Sequence, residues 1–492
     1  MGFQLLEATI EEIETALTAR EISSRELLGL YLDRIDTLDR SGPGINSIIS
    51  LNPAATDEAE RLDELLARSG PVGPLHGVPV ILKDQIDAEG MPTTLGSVLF
   101  KDYMPGRDAF VVEKLKRAGA IVLGKATLGE LGMGDTHGSL FGSTRNPYDL
   151  ERTVGGSSGG PATAVSCNFA AVGVGQEALA SIRRPAAWTC VVGMRPTAGL
   201  VSRSGVYAGW PGIAASLGPL TRGVADQARL LDVLTGYDSE DPITAMGVNR
   251  APRSLADGLE AGALKGARIG VMRQSMGAGS EPGSADFEKV DAVFAKAVDE
   301  MARAGATLVD PIEIPKLREL MDRRGGGGGG NAEEAWRLYF ARGKNPPFAS
   351  RDEMVASPDY GKVHRGPVVA RAGSAPTTGE YLQARDELMF GFMKVMADNN
   401  LDAIVHKSVE HQPTLISEGV KPPFVNIKGA TSLNTFLVYV PAISVPAGFT
   451  TDGLPVGLTL TGRPYSDALM LRLAYAYEQN SHHRQGPPKP LA

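Results

Sequence analysis

Short apolar runs closed by charged or turn-forming residues alternate along this chain with stretches whose apolar positions recur every three or four residues. Residues 78–82 (Val78, Pro79, Val80, Ile81, Leu82) form one such run and stop at Lys83 and Asp84, the pattern of a buried strand that delivers polar side chains at its end. Residues 108–118 then carry a helical period, and 120–123 a second apolar run. The same strand, helix, strand order recurs at 267–272, 285–304 and 306–309, which predicts an α/β fold built in layers. Further strands are expected at 403–406, 442–445 and 456–460, and a helix over 466–479 before the Pro-rich tail 486–491. The first 70 residues predict three helices that wrap a sheet beginning after them. Thr9 with Glu12 and Ser23 with Glu26 have capping-box spacing, and 54–69 carries Leu62, Leu65 and Leu66 on one face.

Composition narrows the class without changing this outline. The 492 residues are 42% hydrophobic and 22% charged, enough for a large buried core, and the formal charge of −8 offers no basic stripe for nucleic acid. A small neutral substrate suits it better. Cys167 and Cys190 lie in small apolar surroundings and read as packed thiols. No basic leader precedes an apolar core near Met1, and no uncharged stretch approaches the roughly 20 residues of a bilayer span, so the expectation is a cytoplasmic protein with no membrane contact. The six glycines at 325–330 predict a flexible loop. The weakly periodic region 311–378 around them reads as an irregular insertion or lid.

Candidate chemistry gathers in two places. One is Gly155, Gly156, Ser157, Ser158, Gly159, Gly160; the other is Ser181, Ile182, Arg183, Arg184, Pro185. A serine hydroxyl attacks a carbonyl only when another group removes its proton, and histidine is the usual partner. None of the seven histidines sits in a recognisable triad pattern. Residues 156–160 match a nucleophile elbow centred on Ser158, but residues 152–154 make a poor preceding strand. Residues 173–178 match a loose dinucleotide fingerprint that lacks its acidic partner and is broken by Pro185. That leaves Lys83, isolated at the end of its apolar run.

These pieces resemble the amidase signature family. The matching segments are Val80 to Asp84, Arg145-Asn146-Pro147-Tyr148, Gly155 to Gly160, Ser181-Ile182-Arg183 with Pro185-Ala186, Gly193-Met194-Arg195-Pro196-Thr197 with Gly199, and Gly453-Leu454-Pro455-Val456-Gly457. The resemblance implies a single domain over 1–492 with a central mixed sheet between helical layers, residues 1–70 packing on it. It implies Ser181 as the acyl-accepting nucleophile, Ser157 as the bridging serine after a cis peptide bond, and Lys83 as the base. Such a lysine must lose about 3 units from its ordinary pKa near 10.4, which burial at a strand end favours. Asp84 would hold it charged, and the strand's alternation is expected to turn Asp84 to the opposite face.

The resemblance further implies an oxyanion hole from backbone N–H groups of Ala178, Leu179, Ala180 and Ser181, with Gly156, Ser158 and Arg183 in support. Here the chain departs from the family pattern: Leu179 and Ala180 stand where glycines are common. The expected outcome is a narrower, more apolar acyl pocket with normal chemistry. Met133, Gly134, Tyr207 and Trp210 are the expected substrate-binding residues. The activity implied is hydrolysis of a small-molecule carboxylic amide by water, with no metal and no organic cofactor. Esters, anilides or carbamates are alternative substrates on the same machinery. The same fold also serves as the glutaminase subunit of an amidotransferase, and it could persist as an inactive scaffold. A homodimer is the expected assembly for an enzyme of this size.

Overall fold

The apolar runs become strands of one eleven-stranded sheet: β1 (Ile48–Leu51), β2 (Pro79–Lys83), β3 (Ile121–Ala126), β4 (Val172–Glu177), β5 (Val192–Arg195), β6 (Ser216–Thr221), β7 (Arg268–Met272), β8 (Thr307–Ile312), β9 (Ala403–Lys407), β10 (Ala442–Phe449) and β11 (Pro455–Thr461). The computed structural model describes residues 2–489 and 491, apart from 213, 324–331, 344, 365–377, 432, 434–436 and 438. The strand order is β1-β3-β2-β4-β6-β5-β10-β11-β9-β7-β8. β2 runs parallel to both β3 and β4, β7 runs parallel to both β8 and β9, and the remaining pairs are antiparallel. The fold is therefore α/β with a mixed sheet between helical layers.

Every residue of β2, β3 and β4 is buried, so alternate side chains need cover on both faces. Helices Gly159–Ser166, Val224–Leu234, Ala285–Arg303 and Asp467–Ser481 pack on the sheet. The helix Gly159–Ser166 is buried at all eight positions. Helices Ile10–Thr18 and Ser24–Arg34 start at Thr9 and Ser23 with both capping boxes formed, and their apolar faces join the same core as the sheet. Both cysteines are buried and unpaired. No helix among the described residues is long and apolar enough to cross a membrane.

Three expectations differ from the structure. The sheet begins before residue 70, because the four-residue β1 pairs antiparallel with β3. It is too short to show a period, and its entry is fixed by a side chain just before it, the Asp39 carboxylate accepting the Ser47 and Ile48 N–H groups at 2.6 and 3.1 Å. β4 is disguised by its glycines, which thin the apolar pattern. Gly175 is one of them because a Cβ there would crowd the Ser158 side chain at 2.9 to 3.0 Å. Finally, the described part of 311–378 is not irregular. It opens on the end of β8 and holds helices Leu317–Asp322, Ala332–Phe340 and Arg351–Ala356. Trp336, Tyr339, Phe340, Met354 and Val363 pack with Leu95, Leu99, Phe100 and Tyr103 in a separate apolar cluster. The six-glycine run lies outside the described residues.

Candidate active site

β2 ends at Lys83, and the burial of the whole strand carries the amine out of water. Its Nζ donates to Ser157 Oγ at 2.7 Å and to the Gln176 carbonyl on β4 at 3.4 Å. Desolvation lowers the Lys83 pKa well below the ordinary lysine value, and the Glu177 carboxylate opposes that shift. The amine thus faces a hydroxyl and a carbonyl rather than a counter-charge. Asp84 is turned away as expected: it pairs with Lys125 at 3.2 Å and accepts the Thr94 N–H at 3.0 Å.

Ser157 follows a cis peptide bond from Gly156. A Cβ on Gly156 would collide with the Gly134 carbonyl, and one on Gly160 with the Thr127 backbone. These glycines let the Ser157 turn sit directly on neighbouring backbone. Ser158 is not exposed at the top of an elbow. It is buried, its Oγ donates to the Gln176 carbonyl at 3.1 Å, and its N–H donates to the Ser181 carbonyl at 2.9 Å. Residues 149–153 that precede this turn belong to a small two-stranded ribbon. The backbone bond from Ser158 joins the two serine segments side by side.

Ser181 lies in the turn between β4 and helix Arg183–Trp188. Glu177 closes that turn. Its carboxylate accepts the Ile182 and Arg183 N–H groups at 2.9 and 3.0 Å and the Arg183 Nε at 2.7 Å, a fully buried ion pair. Arg183 also donates to the Leu179 carbonyl at 2.8 Å, so it braces the turn from both ends. Among the described residues, the N–H groups of Ala178, Leu179, Ala180 and Ser181 donate to no other group, and neither does the Ser181 hydroxyl. None of these four residues has a positive φ. The glycine freedom that Leu179 and Ala180 give up is therefore not used at this turn.

Arg184 and Asp135 form a second buried pair beside Gly156, with the Arg184 guanidinium 5.2 Å from the Trp188 ring. His406 is buried near Arg183, and burial first, then that guanidinium, lowers its pKa to about 3. It is neutral at pH 7 and bonded to the Lys407 carbonyl, not to a serine. Of the expected substrate-binding residues, Gly134 abuts Gly156 and Met133 is exposed next to it. Tyr207 is half-buried, its ring 5.7 Å from Tyr339 and 6.2 Å from Trp336. Trp210 lines a cavity of about 370 Å³ with Arg203, Val206, Leu338, Tyr339 and Arg342, whose walls include neither Lys83 nor either serine.

Glu177 and Gln176 carry roles that the sequence does not announce. Glu177 stands out there only as a polar residue before an altered turn, although an acid six positions ahead of Arg183 is spaced to close it. Gln176 carries no pattern of its own, since its carbonyl meets Lys83 only through the pairing of β2 with β4.

Residues 26–471 match the amidase family. The A subunit of the Symbiobacterium thermophilum glutamyl-tRNA(Gln) amidotransferase is 35% identical over 491 residues, covering 96% of each chain. The peptide amidase of Stenotrophomonas maltophilia superposes with a TM-score of 0.87 at 30% identity, over 99% of both chains. The A subunit of the Thermotoga maritima glutamyl-tRNA(Gln) amidotransferase superposes at 0.74 with 29% identity, over 100% of this chain and 98% of that one. Because the match runs through the strand bearing Lys83 and the turn bearing Ser181, this chain belongs to the amidase signature family.

Proposed function

We propose that this chain hydrolyses carboxylic amides through an acyl-enzyme on Ser181, with Ser157 as the bridging serine and Lys83 as the base. The observation that carries this reading is the buried Lys83 amine, its pKa lowered by desolvation, 2.7 Å from Ser157 Oγ. Lys83 accepts the Ser157 proton while Ser157 takes the proton of Ser181, whose Oγ bonds to the substrate carbonyl carbon. The oxyanion that forms draws on the N–H groups of residues 178–181, which donate to nothing else among the described residues. The relay then returns a proton to the nitrogen as the C–N bond breaks and ammonia or an amine leaves. Water attacks the ester by the same route in reverse, releasing the carboxylate and restoring Ser181.

In this reading the substrate is a small-molecule amide, the assembly is a homodimer, the location is cytoplasmic, and the chain is one domain in which the described part of the 311–378 segment serves as a lid. Incubation with a fluorophosphonate followed by peptide mapping tests it: Ser181 is labelled, and Ser181→Ala is not. Label on Ser158 favours the elbow, and no label on folded protein favours a scaffold. A second reading, glutaminase subunit of an amidotransferase, is favoured by the 35% identity to the Symbiobacterium thermophilum amidotransferase subunit along nearly the whole chain. Glutamine hydrolysis that exceeds turnover of other primary amides supports that second reading.

A further inference from the structure

Both serines head short helices. Helix Gly159–Ser166 begins two residues past Ser157 and helix Arg183–Trp188 two residues past Ser181, and every residue of both is buried. At the serine end the two segments are joined by the Ser158 N–H, which donates to the Ser181 carbonyl at 2.9 Å. At the far end they are joined again, by one side chain from the C-terminal tail. Arg484 Nη2 donates to the Ser166 carbonyl, the last of the first helix, and Arg484 Nη1 to the Cys190 carbonyl, just past the second, each at 2.9 Å. A carbonyl at a helix end has no partner within its own helix, so an outside donor can fix it. Cys190 holds left-handed backbone at φ 56°, a conformation that persists for such a residue only where its surroundings impose it.

The guanidinium that makes this tie is itself fixed. Its Nε and Nη2 donate to the two carboxylate oxygens of Glu7 at 3.0 and 2.8 Å, and Nη1 donates to the Tyr148 hydroxyl at 3.2 Å. Only a planar fork reaches two helix ends and a carboxylate together. The tail has other anchors. The Tyr148 hydroxyl donates to the Gln485 carbonyl at 2.5 Å, the His483 ring lies 2.7 Å from Glu300, and Arg34 donates to the Leu491 carbonyl at 2.8 Å. Removing the Arg484 guanidinium therefore frees the two helix ends while the tail stays seated.

We propose that Arg484 is a positioning residue: by tying the far ends of the two helices, it holds the Ser157 and Ser181 hydroxyls in the register that proton transfer between them requires. This rests on the acyl-transfer reading above. The tie lies one short helix from the hydroxyls, about 12 Å for eight residues, and a displacement of about 1 Å at a reacting group costs up to about 10²-fold in rate. The test is fluorophosphonate labelling of Ser181 over a range of probe concentrations, which separates the maximal labelling rate from the half-saturating concentration, with a thermal melt alongside. At a temperature where the variant is fully folded, Arg484→Met is expected to lower the maximal rate about 10-fold and to leave the half-saturating concentration within about 2-fold. Arg484→Lys keeps a charge beside Glu7 but lacks the fork. It is expected to lose about 3-fold in the same rate, and it serves as the test should Arg484→Met not fold. A lowered melting midpoint with an unchanged maximal rate overturns the proposal and leaves acyl transfer standing, as does a change confined to the half-saturating concentration. A wild-type protein that is not labelled at Ser181 overturns the reading beneath it and this inference together.

Discussion

Lys83 and Lys125 stand near the ends of the neighbouring parallel strands β2 and β3, both with no exposed side-chain surface, yet their surroundings differ in kind. Lys125 Nζ lies 3.2 Å from the Asp84 carboxylate and 3.1 Å from both the Pro92 carbonyl and the Thr93 hydroxyl. Lys83 Nζ has only the Ser157 hydroxyl and the Gln176 carbonyl within reach among the described residues. The acid beside it, Glu177, is held by Arg183 and two backbone N–H groups. Burial alone does not prepare a lysine as a base; withholding the counter-charge does. One strand supplies both arrangements, because Lys83 and Asp84 leave it in opposite directions.

The largest effect expected comes from removing the groups proposed to react on the Lys83 side. Ser181→Ala and Lys83→Met should each lower kcat/KM for an amide by about 10³-fold or more, read in a steady-state assay. Lys83→Met should not lower the thermal midpoint, because an apolar chain replaces a desolvated amine. The sign follows from the lowered pKa. The unfolded chain binds the Lys83 proton more readily, so wild-type stability rises with pH from the lowered value toward about 10.5. That slope should be absent from Lys83→Met. A variant that keeps full turnover breaks the comparison.

On the Lys125 side the expected loss is in stability. Asp84→Asn leaves Lys125 buried without its carboxylate and should cost about 3–5 kcal/mol in denaturant unfolding. Asp84→Asn combined with Lys125→Met should recover most of that. A double variant as unstable as the single one would mean that the ion pair is not what holds this corner.

Glu177→Gln sharpens the contrast between the two lysines. The Ser181 turn loosens, and turnover is expected to fall about 10- to 100-fold. The carboxylate that raises the Lys83 pKa is also gone, so the acid limb of the kcat/KM profile should move to lower pH. Movement to higher pH would contradict the assignment of Lys83 as the base. The smallest effect is at His406, whose folded-state pKa of about 3 lies below the ordinary 6.5. Stability should fall as pH drops from about 6.5 toward 3, and His406→Gln should flatten that decline in a thermal-melt series.

Much of this is legible in the sequence. Thr9 and Ser23 form their capping boxes because a cap needs only residues three apart. Lys83 closes its strand because an apolar run bounded by charges is a local signal. The strands β4, β5 and β6 are not legible in that way: β4 is rich in glycine, and β5 and β6 lack a clear bounded run. The aromatic helix Ala332–Phe340 is hidden in a region whose glycine and proline content suggests irregular chain, although its apolar face packs on residues about 240 positions earlier.

The linear order of residues determined where the turns, caps and strand ends fall, and it placed one lysine and two serines in segments whose glycines admit close backbone contact. Only the tertiary structure decided which lysine lacks a carboxylate and which acid closes the Ser181 turn. Capping and strand ends depend on neighbours within a few residues. The charge on a buried amine depends on how much water every surrounding element removes, and that sum exists only once the distant strands are packed together.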